Sequence, residues 1–115
     1  MSAGTPVAAG TPVARASIQL FQRYHEILGG ASDFAVAPEG CTREHLLWMC
    51  ATAECEAPNW PDDKTSRWLG FVQGVMTVQG LLTVAGEREF SRPLFHAAYA
   101  EQGRAAPASV GRTAE

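Results

Sequence analysis

The chain has 115 residues, 46% of them hydrophobic and 18% charged, with a formal net charge of -3. That balance belongs to globular domains and excludes a chain disordered throughout. No run of Lys or Arg supplies the electrostatic footprint of a protein that binds nucleic acid directly or rests on an anionic membrane.

The sequence opens with a direct duplication, Ala3-Gly4-Thr5-Pro6-Val7-Ala8 followed by Ala9-Gly10-Thr11-Pro12-Val13-Ala14. Its residues favour extended and turn conformations, so residues 1–14 are expected to form a flexible leader. The repeat is too short for a stackable unit, which needs roughly 20 residues. From Arg15 to Leu28 the apolar residues Ile18, Phe21, Tyr24 and Leu28 recur at helical steps opposite Gln19, Gln22, Arg23 and Glu26, which predicts an amphipathic helix. Gly29-Gly30 should stop it through a left-handed closing residue.

After a loop with Pro38 and Gly40, Thr42 is placed to cap a second helix from Arg43 to about Cys55. Leu46, Leu47, Trp48, Met49, Cys50, Ala51 and Ala53 cover most of its circumference, so burial on more than one side is expected. Beyond Ala57-Pro58-Asn59, Pro61 and the acids Asp62 and Asp63 suit the start of a third helix. It should reach about Leu82 as the longest, central element.

One side of that third helix is apolar, with Trp68, Leu69, Phe71, Val72, Val75, Met76, Val78 and Leu82. The other is small: Asp63, Ser66, Gly70, Gly74 and Thr77. A glycine inside a helix costs about 1 kcal/mol relative to alanine, so Gly70 and Gly74 call for a compensating close approach. Either another helix of the same chain or a second subunit would supply it. A short fourth helical segment is expected from Thr83 or Val84 to Glu89, followed by a reset at Ser91-Arg92-Pro93 and a last helix from Leu94 to Glu101. Residues 103–115 are expected to trail off as a flexible tail. The expectation is an all-α, small helical bundle of four to five helices over residues 15–102.

Cys41, Cys50 and Cys55 are an odd set with no secretory signal ahead of them, which points to a reducing cytoplasm. With His45 they offer zinc-type ligands, yet on one helix His45, Cys50 and Cys55 point in diverging directions, leaving only Cys41 and His45 as a pair. Cys41 before a helix N-terminus could also act as a nucleophile with His45 as base, but no oxyanion hole is evident. Cys50 and Cys55 read more simply as small buried hydrophobes.

His25 reads as a packed histidine and His96 as a partner contact, neither with an acidic orienter in view. Glu87-Arg88-Glu89 reads as a solvated face. No phosphate loop or dinucleotide fingerprint is present. No catalytic residue and no cofactor is assigned, and the chain is not expected to be an enzyme.

The stretch Asp62-Asp63-Lys64-Thr65-Ser66-Arg67-Trp68-Leu69-Gly70-Phe71-Val72-Gln73-Gly74, with Glu87-Arg88-Glu89-Phe90-Ser91-Arg92-Pro93-Leu94-Phe95-His96 after it, resembles small accessory proteins of temperate bacteriophages and prophages. The resemblance implies a phage setting and a helical hairpin rather than a reaction. More distantly, Arg67-Trp68 and Gln73-Gly74 are similar to the hairpin of phage anti-defence proteins that sequester cyclic nucleotide signals.

The leading expectation is therefore a non-enzymatic phage accessory protein that binds a host bacterial protein, in host takeover or anti-defence, and assembles as a homo-oligomer. Its partner or subunit contacts would come from Ser66, Gly70, Gly74, Thr77, Trp48, Trp60, Arg92 and Tyr99, since aromatics and arginine dominate binding hot spots. Trp68 is assigned to the core. One alternative is an oligomeric sponge for an anionic small ligand such as a cyclic nucleotide, held by Lys64, Arg67 and Gln73 at a subunit boundary. Another is a zinc-supported protein using Cys41 and His45.

Overall fold

The computed structural model describes residues 10–103, which form four α-helices and one 3-10 turn with no strand among them. The expected all-α bundle is the fold of these residues; residues 1–9 of the leader and 104–115 of the tail lie outside them. No helix of the described residues is long and apolar enough to cross a membrane.

Helix α1 (Pro12–Gly29) begins inside the stretch expected to be leader. The second Thr-Pro of the duplication is a helix start: Thr11 Oγ1 accepts the Ala14 N–H at 3.1 Å, and Pro12 occupies a first-turn position where its missing N–H costs nothing. Residues 101 and 102 pin this start. The Val13 N–H donates to Gln102 Oε1 at 2.9 Å, and Arg15 pairs with Glu101 at 2.8 Å.

Leu20, Phe21, Tyr24 and Leu28 are wholly buried along one side of α1, and the other three helices pack around it. Its C-terminus closes differently from the expectation, because Gly30 keeps a right-handed φ of -92°. Arg43 does the capping instead. Its Nε donates to Leu28 O at 2.7 Å and its Nη2 to Gly29 O at 3.3 Å, setting a cation at the negative end of the helix dipole.

Helix α2 (Arg43–Glu56) starts on Thr42, whose Oγ1 accepts the His45 N–H at 3.1 Å. It buries Leu46, Met49, Cys50 and Ala53, but burial on more than one side is not found. Trp48 and Ala51 stay exposed because α1 and α3 cover only part of the helix. His25 on α1 reaches across to Glu54, with Nδ1 at 2.8 Å from Oε2, so this histidine does have an acidic partner.

After the turn Ala57–Asn59, helix α3 (Asp62–Val78) stops short of Leu82. Gly80 has a φ of +82°, and the turn it permits lets its N–H donate to Thr77 O at 3.0 Å and the Leu81 N–H to Met76 O at 2.9 Å. So α3, with 17 residues against 18 in both α1 and α4, is neither the longest helix nor the central one. That place belongs to α1.

Helix α4 (Val84–Glu101), capped by Thr83, runs unbroken through Pro93, where a reset was expected. An interior proline costs about 3 kcal/mol in lost hydrogen bonding and crowding. The carbonyl that loses its donor belongs to Glu89, an exposed residue that water can reach. The gain lies in alignment: Glu87 and Ala98, about three turns apart, are both buried on one stripe of a continuous helix.

Glu87, only 8% exposed, was expected to be solvated and is instead the polar anchor of α4. Its carboxylate accepts from Tyr24 Oη at 2.5 Å and from Arg23 Nη1 at 2.6 Å, while Gln73 Nε2 of α3 donates to Tyr24 Oη at 2.8 Å. Burial, reinforced by Glu87, pushes the Tyr24 phenol well above its ordinary value near 10.

Removing one member of such a network strands the rest. Glu87→Ala should lower the unfolding free energy by about 3 kcal/mol in chemical denaturation, whereas Arg15→Ala, at an exposed pair, should cost under about 1 kcal/mol. Tyr24 also sets an alkaline limit. The folded state keeps its phenolic proton where the unfolded chain releases it, so this stabilisation is complete below about pH 10 and is lost as pH rises further. Melts of the wild type against Tyr24→Phe across that range should show the variant losing stability less steeply.

Candidate functional site

A row of aromatic side chains is built where α2 meets α3. Trp48 of α2 lies with its ring centroid 5.7 Å from that of Trp68 on α3, and Trp60, from the segment between the helices, lies with its own 4.6 Å from that of Trp68. His45, one turn before Trp48, extends the row at 5.5 Å. All the contacts are tilted, an arrangement aromatic quadrupoles favour over face-to-face stacking.

Trp68 and Trp60 are half-buried and pack against the core, whereas Trp48 is 55% exposed. Lys64 completes the row from α3, its Nζ 4.3 Å from the centre of the Trp60 ring and 5.6 Å from that of Trp68. Beside Trp48 opens a pocket of about 330 Å³ lined by His45, Trp48, Met49, Arg67, Trp68 and Phe71. Phe71, grouped by the sequence with the apolar core side of α3, is 42% exposed.

The remaining contact candidates fall elsewhere. Gly70, Gly74 and Thr77 border an open groove of about 470 Å³ against Val84, Glu87, Arg88 and Ser91 of α4. Ser66 is exposed outside it. A Cβ added at Gly70 or Gly74 would meet nothing within 4 Å, so packing among the described residues does not compensate these glycines. Arg92 lies on a different surface of α4 with Ala85, Arg88, Glu89, Pro93 and His96, and Tyr99 is half-buried with its ring 6.3 Å from that of Phe95.

Of the three residues expected to hold an anionic ligand, two flank Trp68 and the third is engaged elsewhere. Lys64 lies over the tryptophans, Arg67 borders the aromatic pocket, and Gln73 is committed to Tyr24. Of the metal candidates, His45 makes its tilted contact with Trp48 and Cys41 is half-buried at the end of the preceding loop. Among the described residues no group of three or more His, Cys, Asp and Glu side chains is arranged to hold a metal ion.

Met49 and Phe71 are the site residues the sequence did not single out. The available signal was the excess of apolar positions on α2 and α3, wider than a single buried face can absorb. Exposed Cys55, by contrast, does not behave as the buried hydrophobe expected of it.

Cys50 does: burial, with some help from Glu54, pushes its thiol up to about 12. In native protein near pH 8, an aromatic disulfide reagent should therefore modify Cys55 readily and Cys50 only as fast as the chain unfolds, which peptide mapping of the labelled protein can resolve. Compared with known proteins, the chain matches no protein-family model, no curated protein and no solved structure.

Proposed function

We propose that this chain is a binding protein that docks on another protein through the aromatic face of α2 and α3. The phage setting implied by the resemblance makes a host bacterial protein the partner. The observation that carries this reading is Trp48, which stays 55% exposed beside Phe71 at 42% although both stand against an aromatic row anchored in the core. Large apolar side chains gathered on a pre-ordered surface gain by excluding water with a partner, and tryptophan is the residue most enriched at binding hot spots.

Capture from bacterial lysate with the wild type, Trp48→Ala, Phe71→Ala and Arg92→Ala tests it. The two aromatic variants should lose at least tenfold of a protein that the wild type and Arg92→Ala retain, since a truncated hot spot costs upward of about 2 kcal/mol. Retention that ignores the aromatic substitutions, or bait recovered alone, would overturn the reading.

A second reading, self-association through the outer face of α3, has its own observation. Gly70 and Gly74 have open space where a Cβ would stand, and Val78 on the same helix is 85% exposed. Two copies meeting there would supply the close approach that the described residues do not, and one self-complementary patch suffices for a two-fold dimer. Gly70→Ala with Gly74→Ala should then convert a dimer into a monomer by light scattering, while each alanine stabilises the isolated helix by up to about 1 kcal/mol. A wild type that stays monomeric at all concentrations would exclude it.

A further inference from the structure

We infer that the pocket between α2 and α3 receives a partner segment in which an apolar side chain stands next to an aspartate or glutamate. This rests on the docking face proposed above and specifies the chemistry that fits it. The walls supplied by Trp48, Met49, Trp68 and Phe71 suit one apolar side chain. Such a pocket gives little discrimination by itself, because one methylene more or less changes affinity only modestly. Selectivity has to come from the polar groups of its lining, which are Arg67 and His45.

Arg67 is poised for a carboxylate. Among the described residues it pairs with Asp63 one turn earlier, at a long 3.7 Å, and both side chains are mostly exposed, at 63% and 79%. An exposed pair of this kind is worth little and is readily exchanged. A guanidinium beside an apolar wall can bind an incoming carboxylate through two parallel hydrogen bonds while its stem covers the ring edges. Lys64, held over Trp60 and Trp68, adds a second positive charge along the same row.

The acids on this side of α2 occupy a neighbouring pocket, where Glu39 and Glu44 flank His45 and Trp48. Of the charged groups that line the two pockets, Glu39 and Glu44 stand in and just before the first turn of α2, whereas the cation Arg67 stands on α3. An acidic residue of the partner therefore belongs on the α3 side.

A random twelve-residue peptide library, selected on the immobilised full-length chain and counter-screened on Trp48→Ala, provides the test. Trp48-dependent binders should be enriched in Asp or Glu adjacent to Leu, Ile, Phe or Trp. Individual binders should weaken about fivefold when that acid becomes its amide, as expected for a partly exposed charge pair. Repeating the selection on Arg67→Glu should replace the acid by Lys or Arg, and on Arg67→Gln should remove the preference for either sign.

Trp48-dependent binders with no acidic preference, or a preference unchanged in Arg67→Glu, would overturn the inference while leaving the docking face intact. Absence of any Trp48-dependent binder would overturn both. Circular dichroism melts of each variant confirm that the bundle is retained, as substitutions at exposed positions 48 and 67 permit.

Discussion

The position of α4 depends on one carboxylate. Glu87 is buried under α1, and a buried charge is tolerable only if it is paired and its oxygens are satisfied. Arg23 and Tyr24, adjacent on α1, take one oxygen each, and Gln73 ties the same phenol to α3. Because α4 packs chiefly on α1 rather than on α3, this junction fixes its register at one end. The links from Arg15 and Val13 to Glu101 and Gln102 fix it at the other.

From that constraint follows the open groove between α3 and α4. Two helices held at a distance by a shared third one need not close on each other, and Gly70, Gly74 and Thr77 are left beside Val84 and Arg88 without direct packing. The same polar junction explains how α4 remains continuous through Pro93. A break there would separate Glu87 from Ala98, and with it the polar anchor from the apolar one.

With α1 at the centre, α2 and α3 each turn a single stripe inward. Their sequences hold more apolar side chains than those stripes can take, and part of the surplus, Trp48 and Phe71, stands at the pocket where the two helices adjoin. There the tryptophans form a graded series from half-buried Trp60 and Trp68, fixed against the core, to exposed Trp48. A partner of the kind proposed would meet side chains already fixed against the core, so little conformational entropy would be lost on docking. The cations of this surface stand directly against the aromatic rings, Arg67 in the wall of the pocket and Lys64 over Trp60.

The local features of this chain were legible in its sequence because they rest on short-range chemistry. Thr42 as a cap, the apolar spacing of α1 and the acids at the head of α3 each fix a helix from within a turn or two. Even Thr11-Pro12 carried its signal, obscured by a duplication that invited a reading as loose repeat. What only the tertiary structure decided are pairings across long separations. Tyr24 meets Glu87, and Arg43 rather than a left-handed glycine closes α1; Phe71 lies outside the core although it belongs to the apolar side of its helix. Periodicity tells how wide an apolar face is, but the number and placement of neighbours determine how much of it is covered.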